Sequence, residues 1–356
     1  MMKRTLIPLF VALALLTGAA CSQPLEPPAK TGSVVLNFTV GEPATRATGD
    51  GSVIDGGGIY LYNNGEPDLR IFIAGAGTIV ARYPDPNNPV DPEHTAILES
   101  ASATEATIKF TGLTANTTYK VYAFANTGDT SLTVDDAPDW NTVSTTATLD
   151  ALEFTALSVT DPPTTPTVDD RMPLSAKGTL SVSSSGGGSV DLELLRSLAK
   201  VQVTFKNLTA DPLTLTNCNV SITSINPKRG YVFQPDGDDF VNVDGVYQTL
   251  KFPQTTLADI TTPEGVASLT PKLVFPSIAE LHGEYRRYLC NISFNVGEQP
   301  YTFTDLPVHD NLSQDITSLG RNQFLQILVR VSKGQTISFS FKVADWTEKT
   351  ETVQFD

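Results

Sequence analysis

The chain has 356 residues, with 39 Asp and Glu against 24 Lys and Arg, a formal net charge of -15 at pH 7 and a pI near 4.6. Nucleic acid is excluded as a partner, because displacing phosphate counterions takes clustered Lys and Arg and no basic stripe is present. Charged residues make up 18% of the chain while Thr, Ser, Asn and Gly abound, a composition that fits an exported β-protein better than a cytosolic enzyme.

The chain opens with the basic Met1-Met2-Lys3-Arg4, followed by an apolar run from Leu6 to Leu16 that is broken by Pro8 and too short to remain in a bilayer as a helix. This is the layout of a secretory signal over residues 1–20. Gly18, Ala19 and Ala20 lead into Cys21, and the segment resembles the bacterial lipobox, in which the cysteine sulfur is acylated before the leader is removed. Gly18 departs from the leucine usual at that place, and a plain signal peptide cut near Ala20 is the alternative. Acyl chains on Cys21 would hold the protein at the outer membrane, each buried methylene contributing about 0.8 kcal/mol and two or more chains being needed for a stable hold. Ser22 to Lys30 carries three prolines and no periodicity, which suits a tether.

From Lys30 on, period-two alternation of apolar residues recurs nearly everywhere, the pattern of half-buried strands. Val34, Leu36, Phe38 and Val40 share one face of a first strand, with Asn37 and Thr39 on the other. The segments RIFIAGAGTIVARY, ATIKFTGL and TTYKVYAFANTG follow the same logic, separated by turn-formers such as YNNGEPD and DPNNPVDPE. The stretch from Thr160 to Gly188 is rich in Pro, Thr, Ser and Gly and marks a boundary between an N-terminal domain, residues 47–188, and a C-terminal domain, residues 189–356. Residues 21–46 then form a tether and first strand, a candidate propeptide. In DLELLRSLAK, Leu192, Leu195 and Leu198 have helical spacing, which predicts a short helix or bridging segment ahead of the second domain. Beyond it, AKVQVTFKN points Val201, Val203 and Phe205 inward, and QTISFSFKV does the same with Ile337, Phe339, Phe341 and Val343. Many short strands with little amphipathic helix predict an all-β fold of two tandem sandwiches.

Cys218 alternates with Val220 and Ile222, and Cys290 with Ile292, Phe294 and Val296, so both should point inward. With Cys21 lipidated, these two remain in an oxidising compartment, where a buried disulfide and two buried free thiols are both open.

Assembled chemistry is not legible. His94, His282 and His309 have no metal-like partner at short spacing, and the HExxH, GxSxG, P-loop and GxGxxG patterns are missing. His309 beside Asp310 reads as a solvated loop pair, and Asp169-Asp170 and Asp238-Asp239 lack the opposed second pair that glycoside hydrolysis needs. The oxygen-rich Pro235 to Asp239 lacks the spacing of a full calcium loop. No enzyme activity, metal or cofactor is expected. Asn-x-Ser/Thr triplets at Asn37, Asn116, Asn207, Asn219, Asn291 and Asn311 read as strand and turn composition in a bacterial lipoprotein. Trp140, Tyr60 and Tyr62 could supply stacking platforms if the chain were instead a monomeric surface lipoprotein binding glycan or host protein.

Several segments in order resemble the fimbrillin (FimA-like) family, subunits of the lipoprotein-derived type V pili of Bacteroidetes. The segment around Leu195, Arg196, Leu198, Ala199, Lys200 and Val201 is similar to the opening of that family's second domain. RMPLSAKG at Arg171 to Gly178 resembles the turn that closes the first domain, with Met172 and Pro173 in swapped order. TYKVYAFANTG resembles a tyrosine-rich strand, Arg321-Asn322 a strand start, and VADWT the tryptophan near the C-terminus, here Trp346. The resemblance implies two transthyretin-like sandwiches and a subunit that works in adhesion. It also implies that Thr45-Arg46-Ala47 is cut by an arginine-specific protease, after Arg46. Such a cut would release the lipid together with the Val34 to Val40 strand. The groove left behind could take an extended segment of another pilus subunit, with the tail TETVQF as donor and Val353 and Phe355 entering its pockets. A subunit that kept lipid and strand would be a membrane-retained anchor.

Overall fold

The computed structural model describes residues 30–40, 62–63, 66–67, 69–84, 95–101, 105–125, 139–154, 173–226, 230–233, 248–261, 264–310, 312–332, 334 and 336–345. The first sheet contains β1 (Thr31–Val40), β2 (Arg70–Gly75), β3 (Thr78–Tyr83), β4 (Ala96–Ala101), β5 (Glu105–Thr114), β6 (Thr118–Ala125), β7 (Leu174–Ser181) and β8 (Gly188–Arg196). Their spatial order is β3-β2-β6-β7-β8-β1-β5-β4. β7 and β8 pair at Leu174 with Arg196 and at Ser175 with Leu195, so the sheet is hinged there. The two halves close over one core, to which β1 and β5 contribute Val34, Leu36, Phe38, Ile108 and Phe110, and β2 and β6 contribute Ile71, Ile73 and Val121. The alternation read from the sequence is what makes this closure possible, since every strand has one apolar face to bury. The segment RIFIAGAGTIVARY is a hairpin of β2 and β3, turning at Ala76 and Gly77, whose φ of 48° and 84° are those of a two-residue type I′ turn.

The second half of the chain folds as two facing sheets. Its strands are β9 (Ala199–Leu208), β10 (Leu213–Asn226), β11 (Gln248–Lys251), β12 (Thr255–Ile260), β13 (Val266–Ser268), β14 (Lys272–Val274), β15 (Leu289–Val296), β16 (Gln299–Pro307), β17 (Gln323–Ser332) and β18 (Ile337–Asp345). One sheet runs β13-β9-β17-β18 with β14 also on β9, and the other runs β11-β10-β15-β16 with β12 also on β10. Val201, Val203, Phe205, Leu325, Ile327 and Val329 from the first meet Val220, Ile222, Ile292 and Phe294 from the second in a single core.

A third cluster joins the two units. Along β6 the alternation breaks, and Val121 to Ala125 are all buried. Val121 and Ala123 face the first core, whereas Tyr122 and Phe124 face outward and are covered by Val143, Leu149, Val232, Phe233, Phe275 and Phe324. The rings interlock edge-on, with Tyr122 5.2 Å from Phe233 and Phe124 5.8 Å from it. A short helix α1 (Thr146–Asp150), capped by Thr145, lies in this layer and is tied to the sheet by Lys177 Nζ donating to Asp150 Oδ1 at 2.9 Å.

Three expectations are corrected here. DLELLRSLAK is strand rather than helix: Leu192 and Leu194 also alternate, and β8 is held by β1 from Gly188 to Leu194 and by β7 at Leu195 and Arg196. Sheet membership changes at Ser197-Leu198, so the boundary expected at residue 188 lies ahead of β8, a strand of the first sheet. The segment after Pro173 is not a closing turn but β7, in the interior of that sheet.

Candidate strand-exchange site

β1 is an interior strand. It runs antiparallel to β5 from Thr31 to Thr39 and parallel to β8 from Val34 to Val40. Val34, Leu36 and Phe38 are each 0% exposed. On the outer face Asn37 Nδ2 donates to Asp191 Oδ1 at 2.7 Å, and Asn37 Oδ1 accepts from Thr107 Oγ1 at 3.2 Å. Asn37 is thus a ladder residue between β8 and β5.

The entry end of β1 is closed by the loop between β7 and β8. Gly32 lies against Gly186 so tightly that a Cβ at position 32 would overlap the Gly186 carbonyl, a backbone atom that cannot rotate away. Gly186 has φ of 88°, and a Cβ there would meet Gly32 Cα at 2.8 Å. The loop is pinned: Ser183 N donates to Gly187 O at 2.8 Å, Gly186 N to Ser183 O at 2.9 Å, and Val182 N to Thr117 O at 2.9 Å. These glycines close the Pro-, Thr-, Ser- and Gly-rich stretch that the sequence marked as a boundary, and Gly186 serves this close approach.

At the far end of β8 a clasp ties the slot to the second half of the chain. The Arg321 Nη2 donates to Ser175 O at 2.9 Å, to Ser175 Oγ and to Leu195 O at 3.0 Å. These are the residues of the β7–β8 hinge. Burial pulls the Arg321 guanidinium down to about 10. Arg196 Nη1 donates to Asn322 Oδ1 at 2.9 Å, and Ser175 Oγ donates to Val232 O at 2.6 Å. Arg196, Arg321 and Asn322 stood in the motifs that carry the family resemblance, and the structure shows what they do together.

Elsewhere the polar clusters are structural. Ser224 Oγ donates to Glu280 Oε2 at 3.0 Å and lies 3.1 Å from His282 Nε2. Acid and imidazole both address the hydroxyl, the reverse of a relay in which the acid orients the imidazole, and Ser224 is buried. His309 Nδ1 bonds the Asp310 carbonyl at 2.9 Å, while the Asp310 carboxylate accepts from the Leu312 and Gln314 amides, so this pair builds a turn. Among the described residues no three His, Cys, Asp or Glu side chains gather to hold a metal ion. No helix among them is long and apolar enough to cross a membrane.

Cys218 and Cys290 point inward as the alternation requires, but they are free thiols, not a disulfide. Cys290 is registered with Ile222, four positions along β10 from Cys218, a separation of roughly 13 Å at the rise of a strand and beyond the reach of a bridge. Desolvation pushes the Cys290 thiol up to about 12 and Cys218 to about 11. Trp140 is no open stacking platform: it packs 4.8 Å from Phe124, with Arg70 above its ring at 5.5 Å. Asn207 is buried and internally bonded, donating to Asp211 O and Ile260 O and accepting from Thr209. Cys21, Arg46, Ala47, Val353, Phe355, Trp346, Tyr60 and His94 lie outside the described residues, as do Asp169-Asp170 and Asp238-Asp239.

The model of the family described as fimbrillin-A associated anchor proteins Mfa1 and Mfa2 matches residues 91–352, more than half of the chain. The chain belongs to this fimbrial family. No curated protein matches the sequence. A solved candidate cell adhesion protein from Bacteroides eggerthii superposes with a TM-score of 0.52 at 15% identity, covering 90% of this chain and 97% of that one. A fimbrilin (FimA) from Porphyromonas gingivalis superposes with a TM-score of 0.51 at 11% identity, covering 88% and 98%. At such identities these two establish a shared fold. Membership of the fimbrial family makes the chain a structural component of fimbriae at the cell surface, with other fimbrial subunits as partners.

Proposed function

We propose that the chain is exported as a lipoprotein precursor acylated at Cys21, cut between Arg46 and Ala47 by an arginine-specific protease, and joined to neighbouring pilus subunits by strand exchange at the β1 slot. The observation that carries this reading is that β1 is hydrogen-bonded on both edges and buries Val34, Leu36 and Phe38 completely. Releasing it would open two unpaired strand edges and three apolar hollows, which an extended segment of another subunit can fill with main-chain bonds and alternate side chains. The tail, with Val353 and Phe355, is the segment this chain would offer to a neighbour's slot. Head-to-tail contacts of this kind do not close on themselves and so build a filament. The two domains of the subunit divide at Ser197-Leu198, where the sheets change.

The family's anchor description favours a second reading, in which β1 and the lipid are retained and the chain holds the pilus base at the outer membrane. The N-terminal residue of the protein recovered from cells separates the two: Ala47 for a processed subunit, acylated Cys21 for an anchor. Arg46→Ala should leave a folded precursor that does not polymerise, and fibres of normal length from that variant would remove the cleavage step.

A further inference from the structure

We infer that the β1 slot of this chain rejects the chain's own tail and admits a strand from a different subunit, one with glycine at the place of Gly32 and apolar residues at the places of Val34, Leu36 and Phe38. The inference rests on the strand-exchange reading above and names the partner that reading needs. Four sites on one face of β1 define the slot. Three are closed apolar hollows, and the fourth is the contact of Gly32 with Gly186, where no side chain fits. The loop carrying Gly186 is held by its own backbone bonds to the β5–β6 turn at Thr117 and across its base, so it does not yield to a bulkier residue. Gly188, at its far end, is fixed as well, since a Cβ there would meet Ser181 O at 2.7 Å.

The tail, Trp346 to Asp356, contains no glycine. Run in the direction of β1, with Val353 and Phe355 at the Leu36 and Phe38 sites, it places Glu351 at the Val34 site and Lys349 against Gly186. Moved two residues, it places Glu351 against Gly186; moved two more, Val353. A shift of one turns Thr350, Thr352 and Gln354 inward, because strand side chains alternate. Run in the opposite direction, the tail sets Glu351 at the Phe38 site when Val353 takes the Leu36 site, and overlaps the Gly186 carbonyl when any of its residues takes the Gly32 site. Each of these registers therefore buries an unpaired charge or polar row or overlaps the Gly186 carbonyl. Copies of this chain do not string together, and each takes a single place beside a subunit of another kind.

The test starts from the full chain, cleaved at Arg46 with an arginine-specific protease in the presence of excess peptide, with binding read by native mass spectrometry. Four peptides are compared: residues 30–40, the same with Gly32→Leu, the tail 346–356, and the tail with Lys349→Gly and Glu351→Val. The first and last should bind, and the other two should bind about 100-fold more weakly or worse, the cost of overlap and of a buried carboxylate. In parallel, the cleaved wild-type chain should stay unpolymerised alone, whereas the cleaved Lys349→Gly, Glu351→Val chain should form oligomers. Binding of the unaltered tail as tight as that of residues 30–40, or self-assembly of the wild-type chain, overturns the inference and leaves strand exchange standing. Failure of residues 30–40 to bind their own vacated slot overturns the exchange reading and the inference with it.

Discussion

Phe38→Ala should cripple the precursor and leave a strand-exchanged filament untouched. Phe38 is 0% exposed and stands between Ala106 of β5 and Leu192 of β8 in the first core. Truncating a fully buried phenylalanine costs about 3–5 kcal/mol, a large share of the roughly 5–15 kcal/mol by which a domain is stable. With an m-value of about 3 kcal/mol per molar urea, the midpoint of the first transition should fall by about 1–1.7 M. Trp140, packed on Phe124 of the neighbouring half-sheet, gives a fluorescence signal for that transition. A chain built into a filament beside other subunits after exchange of β1 no longer contains residue 38, so filaments that have taken up the variant should melt with those that have taken up wild type. A precursor penalty below about 1 kcal/mol would show that β1 is not a core strand. Filaments weakened as much as the precursor would show that β1 stays in place.

Other consequences are open to direct measurement. Arg321→Met removes the donor shared by the part-buried acceptors Ser175 O and Leu195 O, and at up to about 1–3 kcal/mol for each group left unpaired it should lower the melting temperature and speed proteolysis at Ser197-Leu198. Asn207→Ala removes three donor and two acceptor contacts of a fully buried side chain and should cost about 2–4 kcal/mol by urea titration. Cys290, with its folded thiol held near 12 against an ordinary 9.0, keeps its proton where the unfolded chain loses one. Stability should therefore fall as pH rises above 9, by about 1.4 kcal/mol per pH unit until the folded thiol ionises, and Cys290→Ala should remove that part of the slope. At pH 8 the native Cys290 should resist thiol reagents that label the unfolded chain.

The strands were legible where one face of each meets a core, as with Val34, Leu36 and Phe38 or Val201, Val203 and Phe205. Legibility failed where tertiary partners override a local pattern. Leu192, Leu195 and Leu198 carry helical spacing, yet β8 is strand because β1 offers a full parallel partner register that no local signal announces. Phe124 and Trp140 could not be placed because they cover each other from positions well apart in sequence, and an aromatic on the outer face of a strand looks exposed until its neighbour is known. The β1 slot itself was visible as an apolar stripe, but its glycine closure was not, since the contact between Gly32 and Gly186 spans most of the first sheet's chain. The cysteines were correctly turned inward, and their separation along β10 depended on a strand register that alternation does not fix.

On the strand-exchange reading, the geometry around β8 would let the slot empty without collapse of the fold. β1 covers β8 from Gly188 to Leu194, and the clasp begins at the next residue, where Leu195 O accepts from Arg321 and Arg196 reaches Asn322. The other end of β8 issues from the pinned glycine loop. Both ends are thus fixed by contacts that do not involve the departing strand's side chains. The aromatic layer that joins the two halves of the chain covers β6, in the half-sheet across the core from β1, so exchange at the slot leaves that layer intact. A groove whose β8 wall is fixed at both ends and whose sheet packs on the second half of the chain through the aromatic layer would carry tension from one subunit to the next through main-chain hydrogen bonds loaded in parallel. Arg321→Met would then have an effect beyond its stability cost: by freeing the Leu195 end of β8, it should slow capture of a residue 30–40 peptide by the cleaved chain, even at temperatures where the fold is intact.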